Sequence, residues 1–199
     1  VSLEETPEGG SKRDLFEATA IPFMRALHNT ALRLTHDPHD AADLVQETFL
    51  RAYRTFASFT PGSNCKAWLF TILYSIFVNQ YHKAKRRPRM ESVEELEERF
   101  HHFVQAPGNP ATDITTVEGW GWRWSPEVER ALRQLPEDFR VPLLLVDVEG
   151  LSYEETASVM RCPVGTVGSR LYRGRMALFA MLREYANQTG YGKGSELDQ

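Results

Sequence analysis

Apolar side chains recur every three or four residues along almost the whole chain, and no stretch sustains the apolar–polar alternation of a half-buried strand. A residue turns about 100° in a helix, so this period lays a single buried stripe along each helix, whereas a sheet needs a period of two. The chain is therefore expected to be all-α. Phe23, Leu27, Ala31 and Leu34 mark a helix within residues 14–36. A DPHD turn follows, with Asp40 as N-cap of a second helix and Asp43 in its first turn. That helix runs to about Phe56 and buries Val45, Thr48, Phe49, Ala52 and Phe56. Phe59 to Asn64 has the Pro, Gly, Ser and Asn of a loop, and a third helix spans about Lys66 to Lys85, ahead of Pro88.

Beyond this the pattern lapses into an acidic run, APGNPATD and GWGWRW, and it resumes at Ser125-Pro126, a cap followed by proline in the first helical position. The expected organisation is a disordered N-terminus (1–13), a first helical domain (14–90), a flexible linker (91–125), a second helical domain (126–186) and a disordered tail (187–199). The second domain reads as helices over 126–134, 137–149, 152–160 and 164–185. Gly150 suits the end of the second of these, and Ser152 with Glu155 forms a capping box for the third. Pro142 falls inside a helix, where it costs about 3 kcal/mol, so a kink or late start is expected there.

A net charge of −4 argues against nucleic acid on average, but the charge is segregated. Lys83 to Arg89 packs five cations into seven residues, and Thr156 to Arg183 holds five arginines and no carboxylate. Glu91 to Glu98 holds five glutamates, and Asp37 to Glu47 four carboxylates with no lysine or arginine. Two basic surfaces on an acidic chain suit DNA on one side and a protein on another. The polar start carries no secretory signature, and no apolar run reaches the length of a membrane span. Cys65 and Cys162 fit neither a disulfide framework nor a zinc site and suit a reducing cytoplasm as idle thiols. The histidines do not combine with other ligands at metal spacing, and no nucleophile–base pair or phosphate loop appears, so neither cofactor nor enzymatic activity is expected.

Three constellations carry the functional reading. SYEETASVM, a turn at Arg161 to Pro163, then VGTVGSRLYRGRMALF reads as a helix-turn-helix, with small Ala157 at the crossing. Thr166, Ser169, Arg170, Tyr172 and Arg173 lie where a recognition helix meets base edges, and Arg170, Arg173 and Arg175 form a cationic edge. On the helix DAADLVQETFLRAYRTF, Leu50 stands amid the polar face that carries Asp43, Glu47 and Arg54. Two readings fit it: an apolar anchor for a protein partner, or a solvated face with a Glu47–Arg51 ion pair. In FASFTPGSNCKAWLFTILYSIFVNQYHKAKRR, aromatic residues precede and interleave a basic cluster, which suits stacking on unpaired bases. Phe56, Trp68 and Phe77 read as core, while Phe59, Asn64 and the loop between them read as the wet side. The tryptophans of GWGWRW (Trp120, Trp122, Trp124) either fold back on the chain's own domains or anchor the linker on a partner.

DAADLVQETFLRAYRTF, KAWLFTIL, LPEDFRVPLLLVDVEGLSYEETA and PVGTVGSRLYRGR occur in the order found in extracytoplasmic-function (ECF) sigma factors, which the chain resembles over about residues 14–90 and 126–183. PGSNCKAWLFTILYSIFVNQYHKAKRRP also resembles the subgroup governed by redox-sensing, zinc-binding anti-sigma proteins. The resemblance implies a sigma-2-like and a sigma-4-like domain. It implies docking of Asp43, Gln46, Glu47, Leu50 and Arg54 on the β′ clamp helices of core RNA polymerase, with a further contact to the β flap. It assigns the −10 element to Phe59, Asn64, Lys66, Ser75, Asn79, Lys83, Arg86 and Arg87. The −35 element falls to Thr166, Ser169, Arg170, Tyr172, Arg173 and Arg175. Promoter DNA and an anti-sigma factor are the remaining implied partners, with no stable homo-oligomer. Ser75, Pro142, Thr156, Arg161 and Gly168 depart from the family pattern; Arg161 replaces a turn glycine, at a cost of about 1 kcal/mol if that residue is left-handed. The rival readings are a self-sufficient helix-turn-helix repressor or activator acting as a dimer, and an adaptor that only sequesters another regulator.

Overall fold

The computed structural model describes residues 12–85 and 124–189. The basic cluster beyond Lys85, the acidic run, Trp120 and Trp122 lie outside the described residues, as does most of both expected disordered ends. All regular elements among the described residues are helical. In the first unit these are α1 (Lys12–Ala20), a 3₁₀ turn (Ile21–Phe23), α2 (Met24–Thr35), α3 (Pro38–Thr55), a 3₁₀ turn (Phe56–Ser58) and α4 (Cys65–Lys85). The second unit has α5 (Pro126–Gln134), α6 (Glu137–Leu143), a π turn (Leu144–Val148), α7 (Tyr153–Met160) and α8 (Val164–Thr189), which passes the expected end at 185.

The single helix expected over 14–36 is broken at Ile21–Phe23. Pro22 is the cause: it has no N–H to give to the ladder and its ring clashes with the preceding turn. The expected cap of α3 is also corrected. Asp37, in extended backbone conformation, accepts hydrogen bonds from the N–H groups of His39 and Asp40 at 2.8 and 3.0 Å, and Pro38 opens the helix. Asp40 instead adds a carboxylate to the first turn. In the second unit Pro142 is accommodated inside α6, which widens directly afterwards into the π turn, its end closed by Glu149 N–H to Leu144 O at 2.9 Å. Gly150 (φ +70) then reverses the chain, the Ser152–Glu155 capping box forms, and Arg161 takes the left-handed turn at φ 53.

Phe70, Phe77, Leu69, Leu73 and Ile76 of α4 are fully buried among Leu27, Ala31, Leu44 and Ala52 of α2 and α3. A second cluster, with Leu132, Leu135, Leu143, Val167 and Leu171, holds the helix-turn-helix together. The first cluster also takes in Val141, Leu144, Leu145, Leu151, Val159 and Met160, because α7 packs along α4. The two units therefore share apolar core. Each fully buried Leu or Phe contributes about 1.5–3 kcal/mol, so the junction is a substantial part of the fold.

Candidate polymerase and nucleic-acid interfaces

On α3, Asp43, Gln46, Leu50 and Arg54 are exposed, and half-buried Glu47 pairs with Arg51 at 2.6 Å. Leu50 is 44% exposed and does not stand alone among charges. It lies on the wall of an open groove of about 880 Å³ that α1 completes with Phe16, the 3₁₀ turn with Ile21, α2 with Met24, and α3 with Phe49 and Tyr53. Phe16 anchors the floor, edge-to-face with Tyr53 and Phe56 at 5.2 Å, and Lys12 sits 4.8 Å over the Tyr53 ring. The contribution of α1 was not visible in the sequence, because Pro22 turns that helix back across α3.

The loop between α3 and α4 is shaped by its aromatic residues. Phe59 stacks on Phe56 at 5.8 Å and meets Trp68 at 5.1 Å, so it is half-buried against the core and not on the wet side. Phe56 and Phe77 are buried as expected, and Trp68 is half-buried against the same core. The loop residues 60–64 are exposed, with Gly62 at φ +85. Asn64 caps α4, its Oδ1 accepting from Ala67 N–H at 3.2 Å. Ser75 is half-buried and Asn79 exposed farther along α4. Tyr74 of α4 is held above the usual phenol range by burial and by Glu137 and Asp138 of α6. The backbone of α4 carries Lys83, whose side chain, like Arg86 and Arg87, lies outside the described residues.

In the helix-turn-helix, Ser169, Tyr172 and Arg175 are exposed, while Thr166, Arg170 and Arg173 are half-buried. Two arginines of the expected cationic edge are engaged in ion pairs. Arg170 pairs with Asp138 of α6 at 2.7 Å. Arg175 makes a two-pronged pair with Asp147 of the π turn at 2.6 and 3.1 Å, which with Tyr153 raises its pKa further. The sequence had shown no carboxylate within the helix; the partners come from elements 28 and 32 residues earlier. A feature missed in the sequence is an apolar stripe down the outside of α8, where Tyr172, Met176 and Phe179 are 67%, 46% and 64% exposed at helical spacing.

Polar contacts bind the two units across their apolar junction. Arg33 pairs with Glu129 at 2.9 Å and lies 4.0 Å over the Trp124 ring, so this tryptophan folds back on the first unit. Glu149 and Glu155 reach Thr30, Lys66 and Asn64. No His, Cys, Asp and Glu cluster fit for a metal occurs among the described residues. Cys65 is buried and Cys162 half-buried, and burial raises both thiols. No described helix is long and apolar enough to cross a membrane.

A helix-turn-helix packed beside a helical body with an aromatic loop and an open apolar groove has the architecture of a two-part transcription factor. The sequence matches Sigma-70 region 2 over residues 22–87 and Sigma-70 region 4 over residues 125–178. It is 40% identical over 163 residues to the ECF RNA polymerase sigma factor EcfG of Rhodopseudomonas palustris, spanning 82% of this chain and 81% of that one. Identity to the RNA polymerase sigma-H factor of Pseudomonas aeruginosa is 35% over 178 residues, 88% and 90% of the two chains. Among solved structures, the sigma factor RpoE of Bartonella quintana, in complex with the anti-sigma factor NepR, superposes with a TM-score of 0.63 at 29% identity, over 84% of this chain and 96% of that one. CnrH, in complex with the cytosolic domain of CnrY, shares the fold with a TM-score of 0.58 at 24% identity. The chain belongs to the extracytoplasmic-function family of RNA polymerase sigma factors. Its function is that of the family: promoter recognition and transcription initiation.

Proposed function

We propose that α3 docks on core RNA polymerase through Asp43, Gln46, Glu47, Leu50 and Arg54, and that the groove behind Leu50 receives an apolar side chain of the clamp helices. The observation that carries this is the groove itself: exposed leucine and tyrosine beside a preformed apolar cavity, rimmed by both signs of charge, is the anatomy of an interface anchor. The loop 60–64 with Asn64, Lys66, Ser75, Asn79, Lys83, Arg86 and Arg87 takes the unstacked −10 strand, with Phe59 as the fixed floor on which the loop rests. Thr166, Ser169, Arg170, Tyr172, Arg173 and Arg175 belong to the −35 interface. Within this set the ion pairs of Arg170 with Asp138 and of Arg175 with Asp147 orient the helix. Beyond Tyr172, the exposed Met176 and Phe179 suit a second protein contact, to the β flap. Covalent chemistry belongs to the polymerase, and the chain itself works in the cytoplasm.

By analogy with RpoE, solved in complex with the anti-sigma factor NepR, we further infer an anti-sigma factor for this chain. Any redox sensing is assigned to that partner, because Cys65 is buried, Cys162 is half-buried and burial raises both thiols, which disfavours the reactive thiolate. Reconstitution tests the docking assignment: core polymerase and this protein on a genomic promoter library, with transcripts sequenced. Discrete starts that need the protein are expected, and Leu50→Asp abolishes them with helix content unchanged. Undiminished transcription by Leu50→Asp refutes the docking face.

A further inference from the structure

Glu149 ends the π turn with its side chain 6% exposed, yet its partners are not in its own unit. Its carboxylate accepts from the Thr30 hydroxyl of α2 at 2.8 Å and from the Lys66 ammonium of α4 at 2.8 Å, and its backbone carbonyl accepts from Lys66 at 2.6 Å. Glu155 divides its two oxygens. One closes the capping box with Ser152 N–H at 2.8 Å, and the other accepts from Asn64 Nδ2 at 2.6 Å. Asn64 and Lys66, the two described cap-and-cation residues at the mouth of the −10 loop, are thus both engaged by carboxylates from the entrance of α7.

A carboxylate oxygen set against a lysine ammonium and an asparagine amide offers the same partner as a phosphate oxygen: an anionic acceptor of charge-assisted hydrogen bonds. Building on the assignment of Asn64 and Lys66 to the −10 strand, we propose that the second unit is an intramolecular inhibitor of the first, with Glu149 and Glu155 standing where the strand's phosphates bind. The closed arrangement and the strand-bound one then exclude each other. Free protein resists spurious single-stranded DNA until a partner draws α7 away from α4, and opening releases Lys66 and Asn64 together. The strand's apparent affinity is lowered by the closed fraction, so weakening the latch raises it.

The full chain tests this with two isosteric variants. Glu149→Gln removes the charge facing Lys66 but keeps an acceptor for Thr30. Glu155→Gln preserves the capping box, which accepts Gln, and weakens only the Asn64 contact. The probe is a fluorescein-labelled single strand carrying the non-template −10 region of a promoter found in the library experiment. Each variant should bind it more tightly than the parent chain, the double variant by on the order of tenfold, while small-angle scattering shows a larger radius of gyration and circular dichroism an unchanged helix content. Equal affinity in parent and variants, with no expansion, overturns the latch and leaves the strand assignment standing. If Lys66→Ala does not weaken the oligonucleotide in the open double variant, the strand assignment fails and the inhibitory role goes with it.

Discussion

His36 combines two unfavourable circumstances in one side chain. Its backbone is left-handed at φ 61, where a β-carbon crowds the following carbonyl, and its imidazole is pushed down to about pH 4 by burial and by Arg140 and Arg133 across the junction. The unfolded chain takes up the His36 proton near pH 6.5, whereas the folded chain refuses it until about pH 4. Between those values the unfolded state holds more protons, so stability falls as pH is lowered from 6.5 to 4 and is unaffected by this group above 6.5. The cap Asp37, held below its usual range by the N–H groups it accepts, loses its contribution only below this window. His36→Asn keeps a residue that tolerates positive φ and removes the titration. Urea midpoints at pH 7 and pH 4.5 should differ less in this variant than in the parent; an identical difference dismisses His36 as the acid-sensitive group. Residues of this kind were hidden in the sequence for one reason. The partners that set them, like Asp138 for Arg170 and Asp147 for Arg175, lie on other helices, and a linear count of charge does not see through space.

Helix ends obey local chemistry and were accordingly legible. Ser152 with Glu155, Ser125-Pro126, the left-handed Arg161 and the disturbance after Pro142 each follow from residues within a few positions of the event. The misplaced cap and the missed break are of the same local kind: Pro38 makes Asp37, not Asp40, the cap, and Pro22 ends what the apolar period would continue. Helix crossings are another matter. At Gly174, a β-carbon would come within 2.8 Å of Leu143 Cδ1 and 3.2 Å of the Phe139 carbonyl, so α8 lies on α6 at a distance only glycine permits. Nothing in the sequence around Gly174 distinguishes it from the exposed Gly165, which has open space around it. Gly174→Ala should cost about 1–3 kcal/mol by overpacking, against about 1 kcal/mol regained from helix propensity. The net loss lowers the melting temperature by a few degrees. Gly165→Ala, with no clash, should be neutral or stabilising. If both variants melt alike, the α6–α8 crossing is looser than the geometry indicates.

At the scale of the molecule, the all-helical class and the order of the two sigma regions were readable from period and motif order, but the relation between the units was not. Tethered domains were expected to act as separate bodies. Instead Val159 and Met160 of α7 join the core of α2, α3 and α4, and Glu129, Glu149 and Glu155 supply carboxylates to Arg33, Lys66, Thr30 and Asn64. Amphipathic period shows that a stripe is buried without naming what buries it, so a helix that covers another domain looks the same as one that covers its own. Thermal unfolding separates the two cases. With a shared core, removing either unit strips apolar area from the other, and the full chain should unfold in one calorimetric transition whose van't Hoff and calorimetric enthalpies agree. Opening the charged contacts alone, in the Glu149→Gln, Glu155→Gln double variant, should lower the single transition or split it, because the apolar junction then holds with less help. Two well-separated transitions in the parent chain would mean that the units fold independently, and that their contact is too weak to hold α7 on α4.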